Sequence, residues 1–353
     1  MDKKLKSKQE FFASANSYSG FISYFDKIFN SSQFDRIFVL KGGPGTGKST
    51  LLKKVAREFE NDDVSLELFR CSSDTNSLDG LILERENKRI AIMDGTAPHI
   101  RDAVIPGAVD VLINLGDAIN NAALAEEKKR ILELNLLKSN SYGRAYEKLA
   151  KSSIFDSNLK AELRSNLDSD ALNSTCGELL NEVMSFKCDS SSEIRLFSSF
   201  SKEGYSSLSL KGLSQCYTVS GKSGSEYLLL TELSHKLEAH GVRFVKIISP
   251  LDKHIVEGIY FKESSVAIVG GQDENCLIHT ENFMNAENDD AFERKLGALN
   301  ECKNIYENEA AIELKSASLY HFELEKIYTK AVDFTVIDRY TTYIKDGISK
   351  IFL

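Results

Sequence analysis

The chain has 353 residues, of which 42% are apolar and 27% charged, enough material for two folded cores. A net charge of −8 and a pI near 5.5 argue against a broad surface for nucleic-acid phosphates. No apolar run approaches the roughly 18 residues of a membrane span, and the basic start "MDKKLKSKQEFF" lacks the apolar stretch of a signal peptide. Six scattered cysteines (71, 176, 188, 216, 276, 302) with no C-x-x-C pair read as reduced thiols, so the expected compartment is the cytoplasm.

In chain order, "RIFVL" is a short apolar strand and leads into Gly42-Gly43-Pro44-Gly45-Thr46-Gly47-Lys48-Ser49-Thr50. This fits G-x-x-x-x-G-K-[ST], in which glycines let backbone N–H groups turn in on an anion. The helix that follows begins at Lys48, so its N-terminal dipole faces the phosphates. Residues Gly43 to Thr50 are therefore the expected nucleotide cradle. Lys48 is expected on the β/γ-phosphates and Ser49 on Mg²⁺. "VSLELFRC" reads as the next strand. "RIAIMDG" follows as a buried strand ending in Asp94, placed to orient the metal with Ser49.

No Glu follows Asp94; Gly95 stands there. His99, in "DGTAPHIRD", is a candidate for polarising water or sensing the γ-phosphate, with a loop histidine bonded to backbone as the alternative. Arg101 is either a charge for the transition state or a solvated surface residue, the second being favoured. Asp74, just past its strand, is the candidate for accepting a substrate hydroxyl proton in a kinase reading. From about Leu124 to Met184 the pattern is helical, including "LAEEKKRILELNLLK". The polar "KCDSSSEI", 187–194, marks a linker, dividing the chain into 1–188 and 189–353.

The second part repeats the first. "VSLELFRCSSDTNSLDGLIL" aligns without a gap on "VRFVKIISPLDKHIVEGIYF", placing Asp74 opposite Asp252 and Gly80 opposite Gly258. Leu51, Leu52, Val55 and Phe59 fall opposite Leu229, Leu230, Leu233 and Leu237, one buried helical stripe each. In that frame Lys48 meets Glu226 and Ser49 meets Tyr227, and the match of "IAIMDG" to "VAIVGG" puts Asp94 opposite Gly270 and His99 near Asn275. A carboxylate in the loop repels triphosphate oxygens, so the second loop is expected not to take MgATP. Features shared by both halves, such as Gly42, Asp74 and Gly80, sort as architecture; Lys48, Ser49, Asp94 and His99 sort as chemistry. Lys222 reads as a solvated loop lysine. A last helical segment runs from about Phe292 to the end.

The fold class expected is α/β: two tandem P-loop NTPase-like domains with parallel sheets, each carrying a helical hairpin or small bundle. "LKGGPGTGKSTLLKK", "CSSDTNSLDG" and "DGTAPHIRDAVIPGAVDVLINLG", in this duplicated layout, resemble a family of uncharacterised bacterial ATPases with two P-loop domains. The resemblance implies nucleotide binding and a second phosphate loop that the family often keeps, from which this chain departs at 221–228; with no N-K-x-D guanine motif present, the expected ligands are ATP and Mg²⁺. The function expected is slow Mg-dependent ATP hydrolysis in the first half beside a degenerate second half. The alternatives are a small-molecule kinase using Asp74 and a nucleotide-stabilised module for a protein partner or self-association.

Overall fold

Ile37 and Val39 bury into one core and Phe38 and Leu40 into another, so the strand they share has an apolar layer on each face. The computed structural model describes residues 8–60, 63–271, 278–285 and 290–353. The first half begins with β1 (Lys8–Phe12), the hairpin β2 (Ser14–Ser17) and β3 (Gly20–Ser23), and one turn of helix, α1 (Phe25–Ile28). It continues with β4 (Arg36–Lys41), α2 (Lys48–Glu58), β5 (Ser65–Arg70), β6 (Leu78–Arg85), β7 (Lys88–Asp94) and β8 (Asp110–Asn114). Three helices close it: α3 (Asn121–Glu126), α4 (Lys128–Ser165) and α5 (Ser169–Val183).

The second half repeats this order. It has β9 (Glu193–Arg195), the hairpin β10 (Ser198–Ser201) and β11 (Gly204–Ser207), β12 (Gln215–Ser220) and α6 (Glu226–Ala239). Then come β13 (Val245–Ile248), β14 (Val256–Phe261), β15 (Val266–Gly270), β16 (Ile278–His279), α7 (Asp290–Lys330) and α8 (Phe334–Phe352). The sheets have the same strand order, β1-β5-β6-β7-β4-β8 and β9-β13-β14-β15-β12-β16. Both are mostly parallel rather than wholly so: β6 and β14 run antiparallel to their neighbours, because each returns from the preceding strand by a short turn instead of a crossover helix.

The duplication expected from sequence is thus present strand for strand, and the stripes Leu51, Leu52, Val55, Phe59 and Leu229, Leu230, Leu233, Leu237 are all buried. One face of each sheet packs on the other sheet, through Phe11, Phe69, Ile82 and Met93 against Leu196, Val245, Ile247 and Ala267. The outer faces carry helices, and here the halves exchange. Helix α8, from the C-terminus, lays Ile337, Ile344, Ile348 and Phe352 on α2 and the first sheet. Helix α5, from the first half, lays Leu172, Cys176, Leu179 and Val183 on α6 and the second sheet. Asp333 and Asp168 cap the exchanged helices in the same way, each side chain accepting from backbone N–H of the first turn.

The long helices also pair across the halves. Antiparallel α4 and α7 meet along their length, with Arg144 to Glu313 at 2.7 Å and Lys295 to Glu162 at 2.6 Å marking the register.

Between the sheets sits a buried charge cluster. Arg195, 1% exposed, lies over the rings of Phe11 and Phe69 and donates to Glu67 at 2.6 Å and to Glu193. Lys262 reaches Glu67 at 2.6 Å and Glu193 at 2.9 Å; Arg89 reaches Glu193 at 3.1 Å. Burial raises the Glu193 carboxyl, but the cations outweigh it and hold the group well below the usual range. Cluster members come from both halves, so the ion network fixes how the sheets face each other.

The Ser-rich 187–194 stretch joins the halves and is not loose throughout: Asp189 is buried and accepts from Glu263 N at 3.0 Å. Burial pushes its carboxyl up to about 6, against the Glu263 and Lys262 interactions. The folded chain therefore holds that proton more tightly than the unfolded chain, where the value is about 3.9. Asp189 is neutral and harmless below about pH 4; stability should fall between about pH 4 and 6 and stay lower above, by roughly 3 kcal/mol. Asp189→Asn should flatten the stability curve across that window, read as the difference between the two proteins in denaturant titrations. The helix exchange makes a second prediction: Ile344→Ala, at a fully buried α8 position, should cost about 2–5 kcal/mol, whereas Asp346→Ala on the exposed side should stay within about 0.5 kcal/mol.

Candidate functional site

The loop after β4 takes its shape from glycine. Gly45 and Gly47 have φ of +68° and +85°, a left-handed backbone that other residues adopt only with strain. Thr46 Oγ1 donates to Gly43 O at 2.8 Å, tightening the turn, and α2 starts at Lys48 as expected. Lys48 Nζ donates to Gly42 O at 2.6 Å and Gly43 O at 2.9 Å and lies 3.6 Å from Asp94 Oδ2. Asp94 ends β7 directly beside Leu40 of β4, which is why a strand-end carboxylate and a loop lysine come together. Burial raises the Asp94 carboxyl above its ordinary value, against the pull of Lys48 and two hydrogen bonds from Thr96. Ser49 Oγ accepts from Leu78 N at 2.9 Å.

Gly43 through Thr50, together with Asp94 and His99, line one cavity of about 1130 Å³. The arrangement along the sheet edge follows from strand order: Lys48 beyond β4, Asp94 at the end of β7, Asp79 at the start of β6, and residues 71–74 beyond β5. His99 is buried, its ring stacked on Phe25 at 4.3 Å between centroids. Its Nε2 lies 3.3 Å from Asp79 Oδ2. Asp79 Oδ2 and His99 Nδ1 both have no hydrogen-bond partner among the described residues. The backbone-bonded loop reading of the His99 side chain therefore does not hold.

Asp79 aligns with Glu257 in the repeat, and a comparison of the halves does not mark a position that is acidic in both. No side chain fits after Asp94: a Cβ on Gly95 would lie 2.4 Å from Val39 Cγ1, so a catalytic carboxylate is sterically excluded there.

Asp74 closes a turn, its Oδ1 accepting from Asn76 N at 3.3 Å; Asp252 does the same with His254 N at 3.0 Å. Arg101 is neither a surface residue nor part of the cavity. It is 4% exposed and donates to Ser31 Oγ at 2.7 Å, beside Asp110 at 3.8 Å. The sequence reading placed it on the surface because the short "DGTAPHIRD" loop does not reveal that it folds inward against α1 and β8.

The other half supplies the roof. Thr329 Oγ1 of α7 donates to Gly45 O at 3.3 Å, and Tyr328 covers Gly43. Glu325, whose carboxyl is held low by His321 and, less strongly, by Lys48, stands over the loop. Helix α4 closes the far side with Lys138, Tyr142 and Tyr146. None of these α7 and α4 residues carries a local motif, so sequence gave no signal for them.

The second loop is closed from within. Helix α6 begins at Glu226 where α2 begins at Lys48, and the Glu226 carboxylate accepts from Gly221 N at 3.1 Å, taking a loop N–H for itself. Tyr227, at the Ser49 position, is buried under Lys160 and Arg164 of α4. Ser225 and Thr280 hydroxyls bond across the loop at 2.7 Å, and a Cβ on Gly221 would meet both. Lys222 is exposed and pairs with Glu293 at 3.2 Å. Asn275, the expected counterpart of His99, lies outside the described residues.

Among the described residues no group of three or more His, Cys, Asp or Glu side chains forms a metal site. The first loop instead offers one hydroxyl and one carboxylate, hard oxygen donors that suit Mg²⁺ when phosphate oxygens and water complete its shell. Among the described residues no helix is long and apolar enough to cross a membrane. Comparison with protein families, with curated proteins and with solved structures gives no match for this chain.

The tight seat of the loop under α7 is testable. A Cβ on Gly45 would sit 2.6 Å from Thr329 Oγ1 and 2.7 Å from the Glu325 carbonyl, on a backbone already at positive φ. Gly45→Ala should lower the melting temperature, with backbone strain alone contributing about 1–2 kcal/mol. Gly143→Ala, in open space on α4, should leave it unchanged or raise it.

Proposed function

We propose that the first half binds MgATP at Gly43 to Thr50 and hydrolyses it slowly, while the second half serves as a pseudo-ATPase that roofs the site. The chain is on this reading a tandem P-loop ATPase with one working site, acting in the cytoplasm. The observation that carries it is the contrast between twins. One loop brings Lys48, Ser49 and Asp94 to a single cavity; the other spends its loop N–H on its own Glu226.

Lys48 neutralises the β/γ-phosphates, and Ser49 and Asp94 hold the metal, which supplies charge stabilisation on the transferring phosphoryl group. Asp79 and His99 are assigned to the attacking water, since both line the same cavity 3.3 Å apart and His99 Nδ1 is buried without a partner among the described residues. The water oxygen bonds to the γ-phosphorus as the bridge to the β-phosphate breaks, and the water's proton passes to the Asp79 carboxylate. Asp74 is held in the turn that Asp252 also makes, which supports hydrolysis over transfer through Asp74.

The test measures Mg-dependent phosphate release and nucleotide-induced thermal shift on one preparation. MgATP at 100 times its dissociation constant should stabilise the wild type by about 2.7 kcal/mol. Lys48→Ala should remove both the shift and the release. Asp79→Asn should keep the shift and slow release by roughly 10²–10⁴. Release unchanged in Lys48→Ala would refute the assignment.

A further inference from the structure

We propose that the roofed cavity holds a second binding site, separate from the phosphate loop, for a small molecule carrying a phosphate or carboxylate group, bound by Lys138 of α4 and Lys202 of the β10–β11 turn. This site goes beyond the nucleotide reading and does not depend on it.

Room comes first. The cavity, about 1130 Å³, exceeds the roughly 300–1,000 Å³ that ordinary small-ligand pockets occupy. Location comes second. The α4–α7 register set by Arg144 to Glu313 and Lys148 to Glu309 brings Lys138 level with Leu319. Lys202 Nζ lies 3.4 Å from Ser318 Oγ, at the same level. Ser318 is two turns of helix before Glu325, about 10 Å along the axis at 1.5 Å per residue. Since Glu325 is the α7 residue that stands over Lys48, the two lysines sit well away from the phosphate loop, towards the strand end of β5. Tyr142 bonds to Ser73 Oγ at 3.1 Å on that side, so hydroxyls line the same ground.

Charge comes third, and the twin half is the control. The exchanged helices repeat in register: Asp168 N donates to Phe283 O as Asp333 N donates to Ala118 O, and Leu167 bridges Met284 as Val332 bridges Ile119. In that register Lys303 corresponds to Lys138, Asp156 to His321 and Glu307 to Tyr142. The hairpins place Tyr18 opposite Lys202.

In the second half every charge of this set is answered. Lys303 lies 3.6 Å from Asp156, Lys160 pairs with Asp156 and Asp252, and Tyr18 donates to Glu307. In the first half two of these three carboxylates are gone, Asp156 and Glu307 giving way to His321 and Tyr142, while Asp74 keeps the place of Asp252 and Glu325 takes that of Lys160. Among the described residues Lys138 has no carboxylate beside it, and burial lowers its ammonium below the ordinary lysine range. A partly buried ammonium costs free energy to desolvate unless an anion meets it. The two lysines are therefore arranged for an anionic guest, while the corresponding groups of the second half answer one another.

The experiment is isothermal titration of the full chain at constant ionic strength, with inorganic phosphate in one arm and succinate in the other. At least one anion should bind wild type and Lys48→Ala alike. The Lys138→Ala/Lys202→Ala double variant should bind it at least tenfold more weakly. Lys138→Arg/Lys202→Arg should retain binding, which separates lost charge from lost folding. Binding abolished by Lys48→Ala alone would place the anion in the phosphate loop and overturn the proposal. No binding of either anion to wild type, or equal binding to the double alanine variant, would overturn it as well. Phosphate binding without succinate binding identifies the guest as a phosphate compound; the reverse identifies a carboxylate. Because the readout needs no nucleotide, failure of the ATPase reading leaves this result legible.

Discussion

The burial of α8 on α2 is the contact on which the site depends. Ile337, Ile344, Ile348 and Phe352 come from the last residues of the chain, yet they complete the core behind the helix that carries Lys48. They join the same buried cluster as Leu51, Leu52 and Val55 of α2 and the strands beneath. Burying each such side chain is worth about 1.5–3 kcal/mol, which surface pairs such as Lys54 to Asp338 and Lys345 to Glu58 do not approach. The first core is thus finished only when the second half has been made and folded back. The reciprocal contact of α5 on α6 makes the dependence mutual, so neither sheet is an independent unit in the sense of owning all its layers.

Duplication with exchange explains how one loop can erode without loss of the fold. What the second half needs from its loop is a short connection between β12 and α6 that closes on itself. Glu226 provides this by capping Gly221 N, and Tyr227 fills the space below with a ring that Lys160 and Arg164 cover. Those contacts favour a closed loop and disfavour an anion in it, since the cap is a carboxylate whose burial already raises its pKa. The first loop keeps the opposite balance. Among the described residues its lysine bonds loop carbonyls and pairs with Asp94 under Glu325, and no side chain of α2 takes a loop N–H.

Much of this was legible in the residues, and the limits have physical causes. Local patterns were enough for the strand–loop–helix unit, the start of α2 at Lys48, the end of β7 at Asp94 and the repeat itself, because each is fixed by side-chain periodicity or by glycine conformation. Asp74 was read as a turn former from its match with Asp252, and both make the same turn. Arg101 went the other way: nothing in "DGTAPHIRD" indicates that the loop folds in against Ser31 and Asp110. Periodicity also marked the helices without telling which sheet they cover, since an amphipathic stripe specifies a partner's character and not its identity. Hence the exchange of α5 and α8, and the roof over the loop, became visible only in three dimensions. Asp79 escaped because a comparison of twins finds what one half lost; a carboxylate kept by both and used differently leaves no mark.

The roof itself is held by packing rather than by charge. Along α4 and α7, ion pairs such as Arg144 to Glu313 and Lys148 to Glu309 are exposed on at least one side and contribute little each. The closely packed positions are Ala145 and Leu149 on α4 and Ala310 and Leu314 on α7, joined by Phe200 and Leu251 from the second half. Small residues at 145 and 310 let the helices approach, and the larger neighbours key into the space beside them. That contact lies in the middle of both helices. One end of α7 rests on the closed second loop, through Asn300 to Ser223 at 3.1 Å, and the other on the first, through Thr329 to Gly45. A helix clamped at its centre and touching a loop at each end can move at one loop only by pivoting about the clamp or bending. The closed loop, tied by Glu226 to Gly221 N and by Ser225 to Thr280, is therefore the contact at the far end of the helix that roofs Lys48.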